Sequence, residues 1–552
     1  MNPNIMNPKK YKKITKNNKI KKDKIADKNI KKNKYKKSDT LTLNKKYTYS
    51  SKTNKKTSFF INFIKVISCI CLIVIIGFVS KIIVDNSDNN ILLSVFRNND
   101  NINNIDKEYD FKVGVNNLDF QNNVLVNELY KYSYNTLINI TDEYGIEYNI
   151  AKNIIKIDEL NYKIEIKDND YISDIVYTFE KLKSTNNNRY YKYLSNITNI
   201  KINENNILIT LTIPNEYIVY AFDFKIEEKN KSIEKQNNTN RYFVTSLQNT
   251  IKFNRNESLN KNILKSITLN NYTDSDEIVN DFRTNKIDAF MTSSEEDVRL
   301  IGKHEYNIKK YRDGETYFLF GNKNSELFKL KEVRKAFAYS LNRNEICKKI
   351  SSSFTEVIDI PYIYSDIKYK YDIYGAENSL IAESWNKSSG IYTKKINGVN
   401  KILSLNLLVN IDDINKVLIA DNIKLMLENI GIKINIIKIK QNELIEKVKL
   451  GEYDLTLSTV NINNNPDTTY LKDYININKV TDEAFNKVKT SDVNNLSSNI
   501  QNLQNVLSSE IACIGIAAKN TNFIYQKYIE GFNDIKYMNI FKNIDKIGKI
   551  VK

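Results

Sequence analysis

The chain of 552 residues has one histidine, four cysteines, five prolines and fourteen glycines. Its single histidine, His304, excludes metal sites that need several imidazoles, and a histidine-based catalytic triad could use only this residue. We expect His304 in a surface loop. The sequence also lacks a phosphate-binding loop and a G-x-G-x-x-G dinucleotide motif. We therefore expect no enzyme activity, no cofactor and no metal site.

The four cysteines do not form a disulfide framework. Cys69 and Cys71 lie within a long apolar run, while Cys347 and Cys513 lie in apolar surroundings far apart in the sequence. Free cysteines are commonly buried as small apolar residues. We therefore predict that Cys347 and Cys513 are two buried free thiols.

The positive charge is concentrated at the N-terminus. Residues 1–58 hold 20 Lys, 3 Asp and no Arg or Glu, so they carry +17 of the total net charge of +18. High charge with few apolar residues predicts disorder. Such a tail could bind RNA or anionic lipid, but we favour a solvated cytoplasmic tail over nucleic-acid binding.

An apolar run at residues 59–84 follows the tail. It has 26 residues, of which only Lys65 and Lys81 are charged. A helix needs about 20 mostly apolar residues to cross a bilayer, and a lysine-rich flank stays on the cytoplasmic side. We therefore predict one N-terminal transmembrane helix, a linker at 85–107 and an extracellular body at the cell membrane.

Two other interpretations of the apolar run remain open. A cleaved signal peptide would have a much shorter basic region before it. A lipoprotein signal is suggested by the residues Val66-Ile67-Ser68-Cys69, but the apolar run continues for 15 residues beyond this cysteine, from Ile70 to Val84. We favour an uncleaved anchor over both.

The body alternates between strand and helix patterns. Apolar residues recur with a period of two at 111–115, 162–166 and 403–409, which predicts strands. Residues 417–427 have the helical period, and Gly431 is suited to end that helix. These patterns predict an α/β fold. The predicted hairpin turns are Glu143–Gly145 and Asn205–Asn206.

The most specific stretch is Leu330–Ile350. Apolar and small residues occupy one helical face there, and Asn342 with Glu345 predicts a capping box that opens a second helix. Arg334 is expected on the opposite face. The residues of this stretch resemble the V-R-x-A-hydrophobic-x-x-A-hydrophobic-[DN]-R element of the extracellular solute-binding proteins of ABC importers, family 5. The matching residues are Val333, Arg334, Ala336, Phe337, Leu341, Asn342 and Arg343, with Ser340 in place of the second alanine.

Other stretches resemble the same family in the same order from about residue 110 to 540. Residues 278–290 resemble its "l.sGeiDa" element, with Asn285 in place of glycine. Residues 371–385 resemble "y.yDpekAk.lLaeaGw", residues 429–434 resemble "iGI.v.i", and residues 449–455 resemble "l..GdyDl". The resemblance covers nearly the whole body.

The resemblance implies a two-lobed periplasmic-binding-protein-like α/β fold of type II, of the large cluster C kind. Lobe I is expected at 108–320 and 511–552, with an extra subdomain at about 160–240. Lobe II is expected at 321–510, with the chain crossing between lobes near residues 320 and 510. The implied function is the capture of a peptide or similar small solute and its delivery to ABC permease and ATPase subunits.

The resemblance also implies where the ligand binds. In peptide-binding relatives, a carboxylate in the loop that corresponds to 459–467 pairs with the α-amino group of the peptide. Asn463 stands at about that place here, and an amide supplies no charge. Asp467 is the nearest carboxylate, although it equally suits a turn after proline. The candidate ligand-binding residues in this loop are Asn461, Asn463, Asn464 and Asp467.

A second departure concerns the motif G-T-G-P-Y, which helps to wall the ligand site in the family. This chain has Asn240-Arg241-Tyr242-Phe243 without glycine, and Tyr242 is a further candidate. These departures and the long tail leave an alternative open, a degenerate solute-binding module that acts as a surface sensor or interaction protein. An extracellular hydrolase is the weakest hypothesis, since it would need a site without histidine or one built on His304.

Overall fold

A computed structural model of the chain describes residues 104–116, 123–229, 240–247, 249–259, 261–351 and 353–551. All of them belong to one unit. The predicted tail, the predicted transmembrane helix and most of the predicted linker lie outside the described residues. At the end of that linker, Asn104–Asp106 form a strand. Among the described residues, no helix is both long and apolar enough to cross a membrane.

The described residues form 23 strands. In chain order these are β1 (Asn104–Asp106), β2 (Asp110–Asn116), β3 (Ile138–Ile140), β4 (Ile146–Tyr148), β5 (Ala151–Lys156), β6 (Asn161–Ile166), β7 (Ile197–Asn203), β8 (Asn206–Leu211), β9 (Tyr242–Leu247), β10 (Thr250–Arg255), β11 (Ser266–Tyr272), β12 (Ala289–Thr292), β13 (Tyr306–Gly321), β14 (Thr355–Glu356), β15 (Asn386–Ser388), β16 (Ile391–Ile396), β17 (Val399–Ile402), β18 (Ser404–Asn410), β19 (Lys433–Ile439), β20 (Leu455–Asn461), β21 (Ile514–Gln526), β22 (Ile529–Glu530) and β23 (Gly548–Val551).

Thirteen α-helices occur in the same described ranges. They are α1 (Val124–Tyr130), α2 (Ile172–Ser184), α3 (Tyr191–Leu194), α4 (Ser275–Arg283), α5 (Glu295–Ile301), α6 (Glu326–Lys329), α7 (Lys331–Ser340), α8 (Arg343–Ser351), α9 (Ile373–Ala382), α10 (Ile414–Ile430), α11 (Gln441–Leu450), α12 (Lys479–Lys489) and α13 (Val493–Ser509).

The largest sheet has eleven strands, ten of them in the order β19-β18-β20-β13-β21-β12-β2-β11-β10-β9. Its longest strands are β13 and β21, the fourth and fifth in this order. The first part of β13, residues 306–312, pairs with the part of β21 whose other edge pairs with β12. Residues 315–321 of β13 pair with β20. We call the β2 side lobe I and the β18 side lobe II. The predicted lobe boundaries at 320/321 and 510/511 stay predictions.

A break in the pairing of β13 with β21 lies between Arg312 and Thr316. Gly314 occupies this break with φ 94°, a conformation that favours glycine. A Cβ atom on Gly314 would lie 2.7 Å from the carbonyl oxygen of Ile462. The Ile462 amide in turn donates to the Gly314 carbonyl at 2.6 Å. The irregular point of β13 is therefore fixed directly against the loop that follows β20.

A separate four-stranded antiparallel sheet, β5-β6-β8-β7, packs with α2 and the β3–β4 hairpin. Its apolar core extends from Leu137 to Ile226, and we call residues 137–226 the middle subdomain. Tyr162, Ile164 and Ile166 of β6 point into this core, as their alternation predicts. The predicted turn at Asn205–Asn206 lies one residue earlier, because Glu204 takes the left-handed conformation with φ 52° and Asn206 already begins β8.

The signature stretch forms two helices, α7 and α8, as predicted, and the Asn342 side chain accepts from the Glu345 amide at 3.3 Å. The expectation that Arg334 faces away from the core is wrong. Arg334 is buried, and its guanidinium donates to the carbonyl groups of Phe328, Lys329, Glu510 and Ile511. The last carbonyl groups of a helix have no hydrogen-bond donor within the helix, and the Arg334 guanidinium supplies the missing donors.

Arg343, the last residue of the signature, forms a buried ion pair with Asp359 at 2.6 Å. The same guanidinium donates to the carbonyls of Ile358 and Gly515 at 2.9 Å, and it also bonds the Tyr369 carbonyl. Asp359 accepts from the Tyr369 amide at 2.9 Å. This network joins α8, the segment 358–369 and strand β21.

Replacing Arg343 by methionine should destabilise the fold strongly. The substitution leaves the Asp359 carboxylate buried without its cation, a change that costs roughly 3–5 kcal/mol. Lys479→Met is a matched control, because Lys479 forms only an exposed pair with Glu483, worth about 0–1 kcal/mol. Denaturant unfolding of both variants measures the difference. Equal and small losses in the two variants would contradict the role assigned to Arg343.

A second prediction concerns Glu128, which is buried against the C-terminal segment. One carboxylate oxygen accepts from the Phe541 amide, and the other has no partner among the described residues. Burial raises the pKa of Glu128 from 4.5 to about 7, although the nearby Lys131 ammonium opposes this shift. Between these two pH values the folded state binds more protons than the unfolded state, so this group's contribution to stability falls as the pH rises and levels off above about 7.

Glu128→Gln retains an oxygen that can accept from Phe541 but removes the titration. The free energy of unfolding should therefore fall between pH 4.5 and 7 more steeply in the natural chain than in this variant. Denaturant midpoints measured across this window test the expectation, and parallel pH profiles for the two proteins would show it to be wrong.

Candidate functional site

The loop predicted to bind a ligand borders a cavity of about 220 Å³. Lobe II contributes residues 458–463 and 465–467, together with Phe320, Pro361, Tyr470 and Tyr474. Facing them, the middle subdomain contributes Tyr144, Lys192 and Tyr193. The cavity therefore has walls from two parts of the chain that are distant in sequence, and a change in their separation would change the cavity.

The loop after β20 fixes its own backbone through side chains. The Asn463 side chain accepts from the Asn465 amide at 2.7 Å, Asn465 accepts from the Asp467 amide at 3.2 Å, and Asp467 accepts from the Thr469 amide at 3.0 Å. Short polar side chains of Asn and Asp commonly stabilise turns in this way. The Asn465 side chain also donates to the Tyr217 carbonyl of the middle subdomain at 3.2 Å.

Three of the five predicted residues border the cavity: Asn461, Asn463 and Asp467. Asn464 is buried beside them without lining it, and its Oδ1 has no hydrogen-bond partner within the described part of the chain. Tyr242 does not line it either. Its ring lies in the core of lobe I, because β9 directs this residue inward, and its hydroxyl donates to the Leu264 carbonyl. We therefore do not include Asn464 and Tyr242 in the candidate site.

Among the described residues that line this cavity, only Lys192 and Asp467 carry formal charges. The Lys192 ammonium and the Asp467 Oδ2 atom are 4.0 Å apart, and the side chains are 70% and 13% exposed. One oxygen of Asp467 accepts from the turn while the other faces Lys192, so the expected turn role is present and the expected ligand-binding role stays a prediction. The pair offers one negative and one positive group to a small zwitterion.

Aromatic rings form much of the remaining wall, namely those of Tyr144, Tyr193, Phe320, Tyr470 and Tyr474. Burial raises the pKa of Tyr144 and of Tyr470 well above the ordinary value. Their hydroxyls therefore stay protonated and neutral. The wall combines apolar contact area with uncharged hydrogen-bonding groups, as is usual in sites for small ligands.

Sequence reasoning did not identify Tyr144, Lys192 or Tyr193 as part of the site. Each lies more than 250 residues before the loop 459–467, and no local pattern indicates a contact over that separation. The only available signal was the predicted turn at Glu143–Gly145, which places a tyrosine at the tip of a hairpin.

A larger cavity of about 570 Å³ lies between α1, α2 and the strands β9 and β10. Several of its charged groups are already paired. Asp223 lies 2.9 Å from Arg189, which does not line the cavity, and Lys225 lies 3.4 Å from Glu227 and over the ring of Tyr130. Among the described residues, none of lobe II lines this cavity. A relative movement of the two lobes would leave it unchanged, so we place the candidate site at the smaller cavity.

Comparisons with known proteins address the family and the fold. The sequence model of the bacterial extracellular solute-binding proteins, family 5 (middle), matches residues 172–479, more than half of the chain. No curated protein sequence matches the chain significantly.

Three solved structures share the fold. The periplasmic murein tripeptide-binding protein MppA, in an unliganded open form, has a TM-score of 0.62 and 13% identity, covering 81% of this chain and 98% of that chain. An ABC transporter substrate-binding protein from Sinorhizobium meliloti has a TM-score of 0.59 and 15% identity, covering 80% and 100%. The ABC transporter substrate-binding protein CtaP from Listeria monocytogenes has a TM-score of 0.53 and 16% identity, covering 81% and 100%.

These identities support a common fold and nothing more specific. The predicted two-lobed α/β fold is confirmed, as is the family resemblance based on the signature at α7 and α8. The chain belongs to the bacterial extracellular solute-binding proteins of family 5.

Proposed function

We propose that this protein is the membrane-anchored extracellular substrate-binding component of an ABC importer. It captures a short peptide or a similar small solute between lobe II and the middle subdomain, and it delivers that solute to permease and ATPase subunits. The observation that carries the proposal is the cavity of about 220 Å³ beside the loop 458–467, which has one acidic and one basic side chain.

The size of this cavity favours a short ligand. Sites for drug-sized molecules usually measure about 300–1,000 Å³. A cavity of about 220 Å³ is smaller, which suits a solute of the size of a dipeptide. The ammonium group of such a zwitterion would pair with Asp467 and its carboxylate with Lys192, and charge-assisted hydrogen bonds of this kind are the stronger ones.

The fold offers a route from binding to transport. A ligand that contacts both walls of the cavity stabilises the arrangement in which the walls are close, because it has fewer contacts when they are apart. The strands β13 and β21 connect the lobes, and Gly314 of β13 bonds the site loop at Ile462. Closure around the solute would therefore be coupled to the connecting strands, and a permease could distinguish the closed form.

Membrane attachment rests on the sequence alone. The apolar run at 59–84 and the lysine-rich residues 1–58 support a single-pass anchor with a cytoplasmic N-terminus and an extracellular body. A tether of this kind keeps the binding protein near its permease and raises the effective concentration of the pair.

One observation favours a second candidate, a degenerate module that acts as a surface sensor or interaction protein. Asn463 occupies about the place of the family's carboxylate, and its side chain is engaged in the turn with Asn465. Affinity purification of the tagged chain from its own membranes separates the candidates. Recovery of permease and ATPase subunits supports transport, whereas recovery of a kinase or an envelope protein supports the second candidate.

We predict that the full chain, purified in detergent, binds a dipeptide and that Asp467→Asn weakens this binding about tenfold or more. The loss reflects one charge-assisted hydrogen bond of about 1.4 kcal/mol or more to the ammonium group. Asp473→Asn is the matched control, since Asp473 is exposed on the adjacent turn and does not line the cavity. Isothermal titration with a dipeptide panel measures both variants. Equal affinities for Asp467→Asn and the natural chain would rule out the assigned role of Asp467.

A further inference from the structure

Tyr144 lies at the tip of the β3–β4 hairpin, in an unusual backbone conformation. Glu143 and Tyr144 are consecutive non-glycine residues with φ values of 59° and 62°. Such residues are uncommon in the left-handed region, and a bulky residue there indicates that its surroundings hold it in place. In this conformation the Tyr144 ring lies between Tyr220 of its own subdomain and the lobe II residues Tyr362 and Tyr364.

The Tyr144 ring is completely buried in an aromatic cluster that it shares with lobe II. Its hydroxyl accepts from the Ile363 amide at 3.0 Å, and its ring lies edge-on to Tyr362 and Tyr364, with centroids 6.0 and 5.2 Å away. The Tyr220 hydroxyl donates to the Tyr144 carbonyl at 2.9 Å, which secures the strained residue from its own side.

The residues beside Tyr144 reinforce this attachment. The Glu143 carbonyl accepts from the Ser497 hydroxyl at 3.0 Å, and the Glu143 carboxylate accepts from the Gln501 side chain at 3.2 Å, both on α13. Further along the hairpin, the Tyr148 hydroxyl donates to Asn494 at 3.1 Å. The hairpin tip therefore holds the middle subdomain against lobe II, beside the same cavity whose wall Tyr144 forms.

We propose that Tyr144 is a latch that sets the length of the solute. Its ring fastens the middle subdomain to lobe II and closes one side of the cavity, so the site takes a dipeptide and rejects longer peptides. This inference rests on the proposed function, since it assumes that the cavity binds peptides. An extended tetrapeptide spans about 13 Å, and the cavity that Tyr144 walls on one side, about 220 Å³, is smaller than the usual ligand site of about 300–1,000 Å³.

Removing the ring should change selectivity for length. Dialanine and tetraalanine are titrated against the full chain in detergent. The natural chain should bind dialanine at least tenfold more tightly than tetraalanine, and Tyr144→Ala should reduce this ratio at least tenfold because the cavity opens towards the hairpin. Tyr144→Phe should keep the ratio, because it keeps the ring.

Tyr148→Ala is the matched control. It removes a contact between the same hairpin and lobe II, but Tyr148 does not line the cavity. The ratio of dialanine affinity to tetraalanine affinity in this variant should equal that of the natural chain. An unchanged ratio in Tyr144→Ala, or an equal change in Tyr148→Ala, would overturn the role of Tyr144 in selecting length.

A measurement without any ligand tests the latch itself and covers the case in which neither peptide binds. Hydrogen exchange of the segment 361–366 reports on the Ile363 amide, which donates to the Tyr144 hydroxyl. Tyr144→Ala should speed this exchange about tenfold or more, and Tyr148→Ala should not. An unchanged exchange rate in Tyr144→Ala would overturn the latch. If exchange is faster but neither peptide binds, the result supports the latch and overturns both the proposed function and the selection of length.

Discussion

The pairing of β13 with β21 is the constraint on which the rest of the structure depends. These two strands join the two halves of the central sheet, and their register breaks between Arg312 and Thr316. The break places Gly314 against Ile462, so the loop that lines the candidate site is attached to the connecting strands themselves. A side chain at position 314 would meet the carbonyl of Ile462, which explains why the chain has glycine there.

The signature that identifies the family serves the scaffold and not the ligand. Arg334 satisfies carbonyl groups at the ends of two helices, and Arg343 forms the buried pair with Asp359 that joins α8 to β21. Separating this pair would leave an uncompensated buried charge, so the pair favours the arrangement in which α8 and β21 stay together. The short motif therefore maintains the position of β21, and through β21 the geometry of the cavity.

The fold could be predicted in large part because its signals are local. The alternation at Tyr162–Ile166, the glycine at the end of α10 and the paired helices at 331–351 each follow from a few adjacent residues. Asn285, which stands where the family element has glycine, has a positive φ of 58°. Arg334 was misplaced because a period assigns a face but does not reveal what covers it. Cys347 and Cys513 are free and buried, as their surroundings predict.

The site was harder to predict because its two walls come from distant parts of the chain. Asn461, Asn463 and Asp467 lie close together at the end of β20 and in the loop after it, so one local pattern predicts all three. Tyr144 and Lys192 border the cavity only because the middle subdomain packs on lobe II. Tyr242 was proposed from a motif position, but its hydroxyl is already engaged by Leu264 in the core.

Photochemical labelling with a dipeptide that carries a diazirine tests the central claim most directly, because the adducts identify the cavity that holds the ligand. The account predicts adducts on residues 458–474 and on the facing residues Tyr144, Lys192 or Tyr193, all suppressed by excess unlabelled dipeptide. Saturable adducts confined to the larger cavity between α1 and α2, or no saturable adduct, would contradict it.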